Sequence, residues 1–277
     1  MTSSNSYILK SSNSLKRRLV LASCLVLFMT SAAFAQQPLA SPPTTPQFLS
    51  RYDFHLSAAA LASADQRFSW DTHFGGDIDV VDYVRGRAAT VMDYEAVLGN
   101  ELRPFDPNQG NYILELSGSY RVKRMEVAGI FHHVSRHLSD RPKVMPIAWN
   151  ILGIRVLREL TLKKETIDVV ADFGGTTQKS YVDYRWSSNV DVVVRRQVAP
   201  RAAVFARGSG HLMSVVPSAA LTERHTQTGG LVEGGLRLTG EAGVGELFVG
   251  YEHRFDAYPL GFVPERWFMV GFHVVRR

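Results

Sequence analysis

The feature that most constrains this chain is a period-two alternation of side chains that runs through long segments. Tyr112, Leu114, Leu116, Gly118, Tyr120 and Val122 make one apolar face, while Glu115, Ser117, Ser119 and Arg121 make the other. The same alternation sets Ile167, Val169, Ala171 and Phe173 against Thr166, Asp168, Val170 and Asp172, and Leu247, Val249 and Tyr251 against Glu246, Gly250 and Glu252. Successive side chains of a strand point to opposite faces, so such segments read as strands with one apolar and one charged face. Helical spacing is scarce, and nothing beyond the N-terminal region is apolar enough for a membrane-spanning helix.

A soluble sandwich also alternates, so three further features decide the architecture. Segments run to about ten to fourteen residues, where soluble strands average five or six. Aromatic residues cluster near segment ends, as with Tyr112, Tyr120, Phe131, Trp149, Tyr184, Trp186, Tyr251, Phe255 and Trp267, where an interfacial girdle would hold them. Connections alternate in length: Lys123-Arg124 is tight, whereas Asn100 to Gly110, Ser139 to Pro146 and Val215 to Gln227 are long and polar. Segment starts fall near Tyr52, Arg67, Ala88, Asn111, Met125, Ile147, Thr166, Ser180, Ala202, Thr228, Glu246 and Arg266. The expected fold is therefore all-β, an antiparallel up-and-down transmembrane β-barrel of about twelve strands, closed because lipid cannot pair an open strand edge.

The N-terminus reads as an export signal. Lys16, Arg17 and Arg18 precede an uncharged apolar run from Leu19 to Ala35 that ends in Ala33-Phe34-Ala35. Residues 1–35 are expected to be a signal peptide cleaved after Ala35, with Leu21-Ala22-Ser23-Cys24 as a rival lipoprotein acylation box and an uncleaved anchor as a second rival. Residues 36–50, with Pro38, Pro42, Pro43 and Pro46, read as a solvated linker, and 51–277 as one barrel domain in the outer membrane. Cys24 is the one cysteine, so a chain cleaved after Ala35 has neither disulfides nor thiol chemistry. Four of the 31 basic residues precede Gln36 and no acidic residue does, which leaves 27 basic against 26 acidic beyond it. Nucleic acid is excluded as a partner on that balance; the expected partners are membrane lipids and the outer-membrane assembly machinery, which would read the aromatic last segment from Trp267 to Val274.

Chemistry concentrates in Phe131-His132-His133-Val134-Ser135-Arg136-His137-Leu138-Ser139-Asp140. On a strand His133 and His137 would lie about 13 Å apart, too far to share a metal ion. Met125, Val127, Gly129 and Phe131 set the odd positions toward lipid, and that parity carries His133, Ser135 and His137 to the barrel exterior. On the next segment Arg155 and Glu159 need the lumen, so Ala148, Asn150, Leu152, Ile154 and Val156 face out, and Asn150 is expected opposite Ser135 within about one residue. A serine hydroxyl is a weak nucleophile until a base takes its proton, and a third polar group fixes the tautomer of that base. His133 as base, Ser135 as nucleophile and Asn150 as orienter make an acyl-transfer constellation at the level of the outer leaflet.

His133-Val134-Ser135 with Asn150 on the following strand resembles the outer-membrane phospholipase A and lipid A deacylase families. The longer string His133-x-Ser135-x-His137-Leu138-x-Asp140 is similar to an uncharacterised outer-membrane barrel family with a His-x-Ser-Ser-His-x-x-Asp motif. The resemblance implies an acyl hydrolase of phospholipid or lipid A, and by resemblance alone a calcium ion and pairing into dimers; the residues themselves call for no cofactor and no metal. Arg136 stands where those hydrolases have Asn, which leaves Asp140 and His137 as alternative third members. Two other readings stand beside this one: a channel or uptake barrel whose lumen is lined by Arg121, Asp168, Asp172, Asp183, Arg185, Asp191, Arg195 and Arg237, and an envelope component without chemistry that acts through its loops.

Overall fold

The computed structural model describes residues 42–139, 146–216 and 224–276. The export signal, Cys24 and Asp140 lie outside them. Twelve strands follow in order: β1 (Gln47–Ala62), β2 (Trp70–Asp82), β3 (Arg87–Gly99), β4 (Asp106–Val122), β5 (Met125–Leu138), β6 (Ile147–Leu162), β7 (Glu165–Ser180), β8 (Tyr184–Ala199), β9 (Ala202–Val215), β10 (Gln227–Thr239), β11 (Val244–Tyr258) and β12 (Val263–Arg276). Each pairs antiparallel with its sequence neighbours, and β1 closes on β12 with Ala58 opposite Phe272, so the sheet has no free edge. The up-and-down barrel expected from the alternation is the fold observed.

Its two faces are inverted relative to a soluble protein. Ile154, Phe173, Leu247, Val249 and Phe268 stand 60% or more exposed on the outside, while Glu115, Arg155 and Asp168 are 5% exposed or less inside. Apolar side chains on the outer wall and ionised ones within are what a lipid solvent requires of a closed sheet. This is an outer-membrane-type barrel. The buried charges are paired: Arg87 reaches Asp79 at 3.0 Å and Glu126 at 2.8 Å, Arg155 holds Glu115 and Asp172, Arg195 holds Asp168, and Arg254 gathers Asp71, Glu95 and Glu252.

The connections sort by end. At one end lie 83–86, 123–124, 163–164, 200–201 and 240–243; at the other lie 63–69, 100–105, 139–146, 181–183, 216–226 and 259–262, most of them longer. The connection 240–243 closes as a tight turn, with the Gly240 N–H donating to Gly243 O at 2.8 Å.

Three expectations are corrected. β1 begins at Gln47, inside the stretch whose prolines mark it as linker, because Phe48 and Gln47 find register partners on β2. Arg185 is exposed rather than luminal: the register slips between Tyr184 and Trp186, and Arg185 is the extra residue. Not all of the aromatics form an outer girdle. Tyr112 and Tyr120 do stand outside, but Trp267 is buried against Phe68, and Trp149, Tyr184 and Phe255 fill the long-loop mouth together with Ile147, Val182 and Met213. Below that layer a cavity of about 270 Å³ is lined by His132, Arg136, Arg155, Asp191, His211 and Glu252 among others.

Candidate functional site

β5 runs from an apolar outer wall into a polar rim. Its even residues are luminal: Glu126, Ala128, Ile130, Val134 and Arg136 are all buried, and His132 turns inward to Glu115 at 3.3 Å. The odd residues His133, Ser135 and His137 face outward, as their parity requires, just beyond Phe131 and close to the long-loop end of the strand. Arg136 fixes the backbone beneath them. Its guanidinium crosses the lumen to donate to the Asp256 and Ala257 carbonyls at 2.7 and 3.1 Å and to Gln109 Oε1 at 2.7 Å. The residue that departs from the hydrolase pattern therefore braces the strand from inside and takes no place in the outward cluster.

On the outer face the structure brings together most of the residues that the sequence singled out, in a different pairing. His133 Nδ1 lies 2.6 Å from Asn150 Oδ1. The Ser135 hydroxyl lies 3.0 Å from His137 Nε2, and no hydrogen bond joins it to His133. Asn150 sits opposite His133, and Ser135 opposite Ala148, two residues away from the register expected. β6 starts at Ile147, directly across from Arg136. Chemically this register is the better one, because an orienting amide acts on the imidazole and not on the hydroxyl.

Around this core, Tyr112 on β4 pairs with Ser135 in register and packs edge-on against His137 at 5.3 Å, with Tyr94 5.0 Å further on. These rings and Leu114 give the cluster an apolar surround on the lipid side. Sequence reasoning missed Gln178, whose Oε1 accepts from Asn150 Nδ2 at 2.8 Å. The alternation of β7 assigns that residue to the lumen, and only a local break in the pairing brings it outside.

Among the described residues one set has metal-ligand spacing: Asp71, His73 and Glu95, in the lumen. Arg254 already supplies a cation there, bonded to Asp71 and, at 2.7 Å, to Glu95. Around Ser135 the side chains are His133, His137, Asn150 and Gln178, a nitrogen-rich set without a carboxylate. Calcium takes six to eight oxygen ligands, carboxylates prominent among them, so the described residues of the outer cluster do not fit that ion.

No family model matches the chain, and no curated protein matches it. Solved barrels do. Outer membrane phospholipase from Salmonella typhi, described as a dimer with bound calcium, is 13% identical over 81% of this chain and 90% of its own, with a TM-score of 0.49. Outer membrane phospholipase A from Escherichia coli is 12% identical over 84% and 98%, with a TM-score of 0.49. The Acinetobacter baumannii outer membrane protein Omp33 is 9% identical over 82% and 97%, with a TM-score of 0.41. At such identities the likeness is one of barrel architecture, shared by proteins of different names, and no residue role is taken from it. By its own closed sheet and inverted faces, the chain is a twelve-stranded antiparallel barrel of the outer-membrane kind, carrying a histidine, serine and amide cluster on its lipid-facing rim.

Proposed function

We propose that this protein is an outer-membrane serine hydrolase that cleaves acyl esters of membrane lipid, phospholipid or lipid A, at the outer leaflet. Ser135 is the nucleophile, His133 the base and Asn150 the residue that holds the base. The observation that carries the reading is the outward-facing His133–Asn150 pair at 2.6 Å beside Ser135, where the apolar outer wall gives way to the rim. A neutral imidazole with its proton on Nδ1 presents a bare Nε2 lone pair, and the Asn150 carbonyl accepts that Nδ1 proton. Ser135 Oγ attacks the acyl carbonyl while His133 Nε2 takes the hydroxyl proton. Collapse of the tetrahedral adduct breaks the ester C–O bond, and the imidazolium returns the proton to the leaving alcohol. Water, activated by the same imidazole, then releases the fatty acid from the serine ester.

In the resting geometry the hydroxyl is turned to His137 instead. Residues two apart on one strand face are separated by about 6.6 Å, so the Ser135 backbone stands midway between those of His133 and His137, and a change of one staggered χ1 rotamer redirects its oxygen along the strand. His133 is assigned as base because it has an orienting amide; His137 holds the hydroxyl between turnovers. An alkyl fluorophosphonate that mimics an acyl ester should label Ser135, as read by peptide mass spectrometry, and His133→Ala should abolish labelling in protein that still folds. Labelling that survives that substitution would remove His133 as the base. The reading also takes the chain to be exported with residues 1–35 removed, so the mature protein should begin at Gln36 by intact mass.

A further inference from the structure

We propose that Gln178 is a positioning residue of this same site: by accepting a hydrogen bond from the Asn150 amide, it sets which end of that amide faces His133 and hence which ring nitrogen of His133 is the base. The inference rests on the reading of Ser135 and His133 given above and adds to it a residue from a third strand.

An asparagine next to a histidine is ambiguous. If its oxygen faces Nδ1, the imidazole carries its proton there and Nε2 is an acceptor able to deprotonate a serine. If its NH₂ faces Nδ1, that nitrogen must accept, the ring proton moves to Nε2, and the imidazole becomes a donor that cannot act as base. The two amide orientations occupy the same volume, so packing does not choose between them. A partner on the far side does. In the structure Asn150 Oδ1 faces His133 Nδ1 at 2.6 Å, and Asn150 Nδ2 donates to Gln178 Oε1 at 2.8 Å. Turning Asn150 alone would set its oxygen against Gln178 Oε1 and lose the second bond.

The backbone of β7 gives the independent observation. Phe173 stands 60% exposed on the outer wall, so regular alternation sends odd residues out and Gln178 in. The pairing of β6 with β7 breaks at this point: Ile151 is opposite Thr176, but Asn150 is opposite Gln178, leaving Thr177 as an extra residue. A bulge of this kind reverses the facing of everything beyond it and disturbs the ladder locally. Here it returns Gln178 to the exterior and sets it directly across from Asn150, while the Thr177 hydroxyl donates to the Asn150 carbonyl at 3.4 Å. The defect thus falls where the outer cluster needs a third strand.

Polarity tests this better than deletion does. Gln178→Glu can only accept, and Gln178→Lys can only donate; the two are similar in length and both sit on an exposed rim. Gln178→Glu should keep lipid-ester hydrolysis within about threefold, with the acid limb of the kcat/KM profile displaced to higher pH by the added negative charge. Gln178→Lys should lower kcat about 10²-fold or more with KM little changed, the cost of a wrongly held tautomer, and Gln178→Leu should fall between them. Equal activity in the Glu and Lys variants, or equal loss, would overturn the inference. The ¹⁵N shifts of His133 in micelles supply a reading that needs no turnover: an Nδ1-protonated ring in the unaltered protein and in Gln178→Glu, an Nε2-protonated ring in Gln178→Lys. The same tautomer in all three would refute the role of Gln178 even if Ser135→Ala abolishes hydrolysis, whereas hydrolysis that persists in Ser135→Ala would remove the catalytic reading beneath it.

Discussion

Ser135 stands between two imidazoles of unequal standing. His133 is tied to Asn150 at 2.6 Å, while His137 is the present partner of the hydroxyl and packs on Tyr112. Replacing His137 by Ala should therefore cut hydrolysis less than tenfold, whereas His133→Ala should cost about 10³-fold, both read as fatty-acid release under matched conditions. The reverse order would make His137 the base and unseat the proposed role of Asn150. Much at this scale was legible in the chain itself. Outward parity of 133, 135 and 137 followed from Met125, Val127 and Phe131, and the presence of Asn150 on the same wall followed from Arg155 needing the lumen. Two details were not. Register between β5 and β6 is not encoded in the alternation of either strand, and Gln178 was concealed because a bulge leaves no periodic trace in the residues around it.

At the scale of strands and connections, the barrel is stapled from within by ion pairs. Arg87 is fully buried with Asp79 and Glu126, and truncating one member of such a group leaves charge without compensation. Arg87→Met should destabilise the barrel by about 3–5 kcal/mol, measured by denaturant unfolding in detergent micelles; a change under about 1 kcal/mol would mean that these luminal charges are hydrated and independent. The connection between β1 and β2 is tethered differently. Asp65 accepts from Arg67 Nε at 2.9 Å, and the Arg67 guanidinium lies 4.2 Å over the Tyr258 ring at the end of β11. That hydrogen bond holds the Asp65 carboxyl below its ordinary value of 3.8. A depressed carboxylate stabilises the fold above its unfolded pKa and ceases to do so as pH falls through the folded value, so this loop should loosen only at pH below about 4. Amide exchange in 63–69 should rise at acid pH and not near neutrality; exchange at neutral pH that is the same in Asp65→Asn as in the unaltered protein would exclude the tether. Strand number and order were readable because alternation persists for a dozen residues at a time. Arg185 was misplaced for the same reason as Gln178, a slip in register that shifts one residue off its expected face.

For the molecule as a whole, the lumen decides between a pore and a sealed cylinder. Arg155 between Glu115 and Asp172, Arg207 beside Asp191 and Glu233, and Arg254 among three carboxylates span the interior from different strands. Above them Tyr184, one of the rings of the mouth, and Arg224 converge on Asp256 at 2.9 and 2.6 Å. The cavity of about 270 Å³ is thus bounded at its upper end by rings and ion pairs. Planar bilayers containing the protein should show no steady ohmic current, and a persistent open conductance would favour the uptake reading instead. Charge inside and apolar residues outside could be inferred from composition along each strand. The inward role of Trp149, Tyr184 and Phe255 could not, since an aromatic near a strand end has the same signature whether it anchors in the interface or fills the mouth.

The central claim is that the rim cluster cleaves lipid esters, and the most direct test is product analysis on vesicles of phospholipid and of lipid A incubated with purified protein and with its Ser135→Ala counterpart. Free fatty acid with the matching lyso- or deacylated lipid from the unaltered protein, and none from the variant, is the outcome expected. Equal release from both, or release from neither on either lipid, would contradict it.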